Sequence, residues 1–320
     1  MAVFTPLDDA TVEAFVAAYD LGELCRWHGI QEGVENSNFY VETARSRSIL
    51  TIYEKRVREA DLPFFLGLME HLAGRGVPCP VPLHDRAGRV LQRLRGKPAA
   101  LVSFLDGRSA ARPEAAHCRA LGRALAELHA AGAGFALYRA NDLGIDGWAH
   151  LVDAIGHRAD EVEPGLAADI RAELRILLEA WPRDLPAGVI HADLFPDNVF
   201  FEDSSVSGLI DFYFSCNDQL AYDLAICLNC WGFDRAGTLD PARSRALLEG
   251  YAAVRPLTAE ERRALPLLCR GSAFRFLLTR LYDWLNHPEG ALVTPKDPLE
   301  YLRLNRFHRQ IEDVRAYGLD

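Results

Sequence analysis

The chain has 320 residues, 49% of them hydrophobic and 25% charged, the balance of an ordinary folded protein rather than a disordered chain or a membrane bundle. A single hydrophobic core stops growing near roughly 250–300 residues, so two lobes are expected. Its 35 Lys plus Arg stand against 45 Asp plus Glu, and the net charge of −10 argues against nucleic-acid or anionic-membrane partners, which require a basic face.

Residues 8–19 place Val12, Phe15, Val16 and Tyr19 at helical spacing behind the Asp8-Asp9 pair, which predicts an opening helix. From Gly29 the pattern turns to β-rich segments at 33–41 and 48–53, separated by a polar turn at 44–47. Asp61 starts a second helix carrying Phe64, Phe65, Leu68, Met69 and Leu72, stopped by Gly74 and Gly76. Strands at 90–94 and 99–105 flank the turn Arg95-Gly96-Lys97-Pro98. Beyond Asp106-Gly107 helical patterns dominate, at 113–131, 145–180, 221–233, 241–252, 258–286 and 297–316. The expected boundary therefore falls near 105, dividing the chain into an N-terminal lobe at 1–105 and a C-terminal lobe at 106–320. One β-rich island, at 188–201 and 208–214, interrupts the helical half.

No uninterrupted apolar stretch reaches the 18 or so residues needed to span a bilayer, and the start carries no basic region followed by an apolar core. A cytoplasmic protein is expected. The seven cysteines, scattered from Cys25 to Cys269, read as reduced thiols rather than a disulfide framework. The CxxC of Cys227 and Cys230 sits in an apolar helical run without a second pair to complete a zinc site, so packing is its expected role.

Chemistry concentrates in the island. His191-Ala-Asp193-Leu-Phe-Pro-Asp-Asn198 has the H-x-D-x-x-x-x-N spacing of kinase catalytic loops, and Asp211 follows thirteen residues after Asn198. Phosphoryl transfer needs a carboxylate beside the attacking hydroxyl and oxygen ligands for Mg2+, which neutralises the phosphate oxygens of ATP. Asp193 suits the first task and Asn198 with Asp211 the second. A hairpin of 199–201 with 208–210 is expected between the two metal ligands. His191 is expected to orient the loop by hydrogen bonding. Asp223, where a helix begins, can cap it, hold the loop, or do both.

At these residues the chain resembles the aminoglycoside phosphotransferase and choline kinase superfamily, and within it the type II homoserine kinases. The resemblance spans nearly the whole chain. It is carried by Gly33-Val-Glu-Asn-Ser-Asn-Phe39, Tyr53-Glu-Lys-Arg56 with Asp61-Leu-Pro-Phe-Phe65, Val189-Ile-His-Ala-Asp-Leu-Phe195, Leu209-Ile-Asp-Phe-Tyr-Phe214 and Leu277-Leu-Thr-Arg-Leu-Tyr-Asp-Trp284. It implies an α+β, protein-kinase-like two-lobed fold and transfer of phosphate from ATP to L-homoserine, a step in threonine biosynthesis. Kinases of choline, ethanolamine, a sugar or an aminoglycoside remain the alternatives, with a catalytically inactive kinase-like binding module behind them.

Further site residues are expected on both sides of the boundary. Gly33, Asn36, Ser37 and Asn38 fit a phosphate-covering loop. In the following strand the superfamily places a phosphate-binding Lys or Arg where this chain has Thr51, so Lys55 becomes a candidate phosphate contact and Glu70 a candidate acidic partner. Ser103, Phe104 and Leu105 fit an adenine-binding linker that acts through main-chain atoms. For the acceptor, Tyr213 and Asn217 lie just after Asp211. Arg275 and Arg280 are candidates for its carboxylate, with Tyr282 and Asp283 for the pocket wall and the ammonium.

Overall fold

The computed structural model describes residues 5–30, 36–54, 57–234, 236–287 and 295–319. Two compact units emerge. One comprises Met1–Asp106 together with Gly208–Tyr213, the other Gly107–Ser207 together with Phe214–Asp320. The segment around Asp211 thus groups with the N-terminal residues, and Leu209 N–H donates to Pro78 O at 2.7 Å within that unit.

The first unit opens on α1 (Asp9–Val16), capped by Asp8, whose carboxylate accepts the Thr11 amide at 2.8 Å. Five strands follow: β1 (Leu24–Gly29), β2 (Ser37–Thr43), β3 (Arg47–Ile52), β4 (Gln92–Leu94) and β5 (Lys97–Ser103). They form one antiparallel sheet in the order β1-β2-β3-β5-β4. Side chains alternate along a strand, so Phe39 and Val41, Leu50 and Ile52, and Ala99 and Leu101 share one face. That face makes a core with Val12, Phe15, Val16 and Tyr19 of α1. Thr51, paired with Asn38 across β2 and β3, lies on the opposite face. β4 and β5 are joined at Arg95-Gly96, both with positive φ (51° and 79°), a two-residue turn that puts Lys97 in the strand rather than in the loop. Between β3 and β4 lies α2 (Leu62–Ala73), with Leu62, Phe65, Leu68, Met69 and Leu72 buried.

The second unit carries β6 (Arg108–Ser109), α3 (Ala115–Ala131), α4 (Ile145–Ile155), α5 (Leu166–Ala180), β7 (Ala187–Ile190), β8 (Val199–Glu202) and the start of β9 (Ser205–Leu209). β10 (Cys216–Gln219), α6 (Leu220–Trp231), α7 (Pro241–Ala252), α8 (Ala259–Leu285) and α9 (Pro298–His308) complete it. The helical pattern over 145–180 is two helices, because Gly156 (φ 59°) and Gly165 (φ 84°) take backbone conformations that a helix cannot. The last helix is likewise shorter than its pattern: it stops at His308, and a 3-10 turn covers Val314–Tyr317. β10 pairs antiparallel with β7, and β6, β8 and β9 form a three-stranded sheet. α3 and α7 cross closely through glycine. A Cβ on Gly122 would sit 2.1 Å from Leu247 O, and one on Gly250 2.1 Å from Arg119 O.

α8 is the spine of this unit. Its N-terminus is a capping box, with Glu261 N–H donating to Thr258 Oγ1 at 3.2 Å and Thr258 N–H to Glu261 Oε2 at 2.9 Å. Its middle is buried on nearly every side, from Leu265 to Leu281. All seven cysteines are free thiols, and Cys227 is buried in α6, as packing residues would be. Among the described residues no helix is long and apolar enough to cross a membrane.

Candidate active site

The loop between β7 and β8 is held by side chains from α3, α6 and α8. Asp223, on the first turns of α6, is fully buried and accepts the amides of His191 at 2.7 Å and Ala192 at 2.9 Å. Burial pushes the pKa of Asp223 up, but the hydrogen bond and charge of His129, with the charge and amide of His191, outweigh it and leave the carboxyl below its ordinary range. His129 Nε2 lies 3.1 Å from Asp223 Oδ2 and its Nδ1 2.8 Å from the Tyr251 hydroxyl. Arg255 donates to that hydroxyl at 3.1 Å and to Glu261 at 2.8 Å. Polar groups, all buried except the partly exposed Arg255, therefore run unbroken from the α8 capping box to the loop.

Ala192 has φ 66°, a left-handed conformation that costs a non-glycine residue about 1 kcal/mol. Its N–H is taken by Asp223, and its carbonyl accepts from Arg275 Nη1 at 2.6 Å. His191 is fully buried, and its Nδ1 accepts the amide of Asp193 at 3.3 Å. Asn198 Nδ2 donates to the Asp193 carbonyl at 2.8 Å and to its carboxylate at 3.3 Å. That leaves Asn198 Oδ1 with no hydrogen bond to any described residue. An amide oxygen so placed fits a hard cation, which prefers oxygen ligands, and Mg2+ in kinases takes few of them from the protein. Among the described residues no three His, Cys, Asp or Glu side chains cluster as a metal cage.

The first unit supplies the remaining candidates. Asp211 also has positive φ (66°) and lies two residues before Tyr213. The Tyr213 hydroxyl is 3.3 Å from that of Tyr53. Burial pushes the Tyr213 pKa up to about 12, against hydrogen bonds from Tyr53 and Thr51 that lower it, so the phenol stays neutral at physiological pH. Thr51 is buried and donates to Asn38 Oδ1 at 2.8 Å. Asn36 accepts the Glu54 amide at 3.2 Å, and Ser37 donates to Glu54 at 2.8 Å, so the polar atoms after the glycine loop tie β2 to the end of β3. Gly33 and Lys55 lie outside the described residues. Glu70 pairs with His84 Nε2. In the linker, Ser103 N–H donates to Val81 O at 2.8 Å and Phe104 N–H to Arg47 O at 3.1 Å. Leu105 is therefore the linker residue whose amide is not spent on the sheet.

The acceptor candidates divide sharply. Asn217 is part of β10, its Oδ1 accepting the Arg139 amide at 3.0 Å. Tyr282 and Asp283 are exposed on the last turn of α8. Arg275 is 2% exposed, its guanidinium over the Phe276 ring at 4.3 Å. Arg280 is bound to Glu300 at 2.6 Å and stacks on Tyr301 at 4.4 Å. Both guanidinia are engaged inside the protein. Sequence reasoning passed over Lys296, whose Nζ is exposed 5.1 Å above the ring of Phe195, two residues after Asp193. It makes no ion pair with any described residue. Phe195, Phe276 and Tyr301 form one aromatic cluster, with centroids 5.0 and 5.1 Å apart along the chain of contacts. Nothing in the spacing of Pro295-Lys-Asp-Pro298 points to Lys296, since its neighbourhood is made by the fold.

A model of the phosphotransferase enzyme family matches residues 26–257. Homoserine kinases of Rhizobium etli and Xanthobacter autotrophicus are each 60% identical over 319 residues, covering 100% of this chain and 99% of theirs. That of Parvibaculum lavamentivorans is 58% identical over 320 residues, 100% of both chains. Among solved structures, an amicoumacin kinase in complex with AMP-PNP, Ca2+ and Ami superposes with a TM-score of 0.70 at 14% identity, covering 96% of this chain and 95% of that one. A microcompartment-associated aminopropanol kinase gives 0.69 at 19%, covering 98% and 99%. At such identities the structures establish the shared kinase-like α+β fold, and the curated sequences establish kinship along the whole length. The chain belongs to the phosphotransferase enzyme family and, within it, to the homoserine kinases.

Proposed function

We propose that the chain transfers the γ-phosphoryl group of ATP to the side-chain hydroxyl of L-homoserine, giving O-phospho-L-homoserine and ADP, the step that leads toward threonine. The observation that carries this reading is the 60% identity, over the full length, to curated homoserine kinases. Asp193 accepts the proton of the attacking hydroxyl, and its carboxylate is oriented for this by Asn198. Asn198 and Asp211 are the oxygen ligands of Mg2+, which when bound neutralises charge on the phosphate oxygens. The main-chain atoms of Leu105 contact the adenine edge. Lys296 pairs with the carboxylate of homoserine, a role supported by its exposure, its position over Phe195 and the prior engagement of Arg275 and Arg280. A cytoplasmic setting agrees with seven free thiols.

Removing the base tests the mechanism. Asp193→Ala is expected to abolish ADP release in the presence of homoserine while nucleotide binding persists. Near-normal turnover in that variant overturns the assignment.

A further inference from the structure

Arg275 is the unusual arginine of the second unit. The other buried arginine there, Arg280, pairs with Glu300 at 2.6 Å, and the partly buried ones also face carboxylates: Arg270 binds Glu173 through two bonds of 2.6 Å, Arg255 binds Glu261 at 2.8 Å, and Arg309 binds Asp169 at 2.7 Å. Arg275, more buried than any of them, has no carboxylate within ion-pair range among the described residues. Its Nε has no hydrogen-bond partner there. Its one hydrogen bond goes to a backbone carbonyl, that of Ala192, immediately before Asp193. A buried guanidinium that makes no ion pair is a poor way to stabilise a core: the charge of Asp218 acts on it only from beyond pairing range, and its desolvation is only partly compensated by the rings of Phe276 and Phe214, 4.3 and 5.8 Å from its centre. Nor is it placed to receive a ligand, at 2% exposure.

What it does touch is the strained point of the loop. Ala192 is gripped at its N–H by the Asp223 carboxylate and at its C=O by the Arg275 guanidinium. Opposite charges from two helices, α6 and α8, thus hold the two ends of a single left-handed residue. Bonds with a charged partner are roughly twice as strong as neutral ones, and neither can be exchanged for water in a dry site. We propose that Arg275 is a positioning residue for phosphoryl transfer: its bond to the Ala192 carbonyl fixes the left-handed turn that presents the Asp193 carboxylate to the acceptor hydroxyl. The proposal rests on Asp193 being the base. It makes Arg275 act through the loop and gives it no contact with substrate.

The test compares the wild type with Arg275→Gln and Arg275→Lys, measuring kcat, KM for L-homoserine, and hydrogen–deuterium exchange of the peptide covering residues 189–195. With the clamp removed, Arg275→Gln lowers kcat tenfold or more, leaves KM for homoserine within about twofold, and speeds exchange in that peptide. Arg275→Lys keeps a cationic donor and falls between the two on both readouts; it carries the test alone if the glutamine variant does not fold. A rise in KM at unchanged kcat overturns the proposal in favour of a substrate ligand. Unchanged kcat and exchange, with only a lower melting temperature, overturns it in favour of plain packing. If the wild type fails to phosphorylate homoserine, the acceptor reading has failed, and the exchange measurement still decides whether Arg275 holds the loop.

Discussion

Asn198 donates its side-chain amide to Asp193 twice, to the backbone carbonyl at 2.8 Å and to the carboxylate at 3.3 Å. In the proposed mechanism one residue thereby orients the base and leaves an oxygen, Oδ1, for the metal. Asn198→Asp replaces the donor with a second carboxylate beside Asp193, and like charges this close raise the pKa of the base. The expected outcome is a loss of kcat by at least tenfold at pH 7 and an upward shift of the acidic limb of the pH–rate profile. A full pH profile of kcat/KM for both proteins checks it, and an unshifted limb contradicts the pairing.

Thr51, at the strand position where the resemblance leads one to expect a cation, is a neutral link. It donates to Asn38 across β2 and β3 and contacts the hydroxyl of Tyr213, which shares the segment of Asp211. Thr51→Val removes the donor at nearly constant shape. We expect a several-fold rise in KM for ATP, about 1 kcal/mol loss of stability from the broken hydrogen bond, and near-recovery in Thr51→Ser. Steady-state kinetics with urea unfolding of the two variants decides the matter; equal behaviour of Val and Ser contradicts it.

Lys296 places an exposed cation over Phe195, two residues after Asp193. A charge-assisted contact to a carboxylate is worth about 1.5–3 kcal/mol, so Lys296→Met should raise KM for homoserine by roughly 10- to 100-fold and leave KM for ATP unchanged. Equal KM values for homoserine in the two proteins remove Lys296 from the acceptor site.

Much of this was legible in the chain and some was not, for physical reasons that differ by residue. The loop from His191 to Asn198 reads clearly because polar residues at fixed spacing interrupt apolar strands, and α1 reads clearly because Val12, Phe15, Val16 and Tyr19 repeat at helical spacing. β1, Leu24-Cys-Arg-Trp-His-Gly29, was missed: it is a half-exposed edge strand with no clean alternation. β10, Cys216-Asn-Asp-Gln219, is polar and becomes a strand only through its pairing with β7. The arginines of α8 show the same boundary. Their interleaving with Phe276, Leu277 and Leu278 predicts burial, which is found, but which group each guanidinium meets depends on elements far away in sequence, Ala192 for Arg275 and Glu300 for Arg280.

His308 makes the fold sensitive to acid. It is almost fully buried, between the Tyr317 hydroxyl at 2.8 Å and Asn229 Oδ1 at 2.6 Å, and burial lowers its pKa from 6.5 to about 3. The unfolded chain therefore binds a proton that the folded chain refuses between those values, and stability falls as pH drops below 6.5 toward 3. One such group contributes about 1.4 kcal/mol per pH unit in that window. Urea unfolding at pH 7.5 and 5.5 should show this loss in the wild type and a smaller one in His308→Asn; identical pH dependence contradicts a neutral buried imidazole.

The most direct test of the account is ADP release by the purified protein with ATP and Mg2+, offered homoserine, choline, ethanolamine or an aminoglycoside, with phosphorus NMR of the product. The account predicts turnover with L-homoserine well above every other acceptor and a single phosphomonoester on its side-chain oxygen. ADP release with homoserine no greater than the blank, or greater with another alcohol, would contradict it.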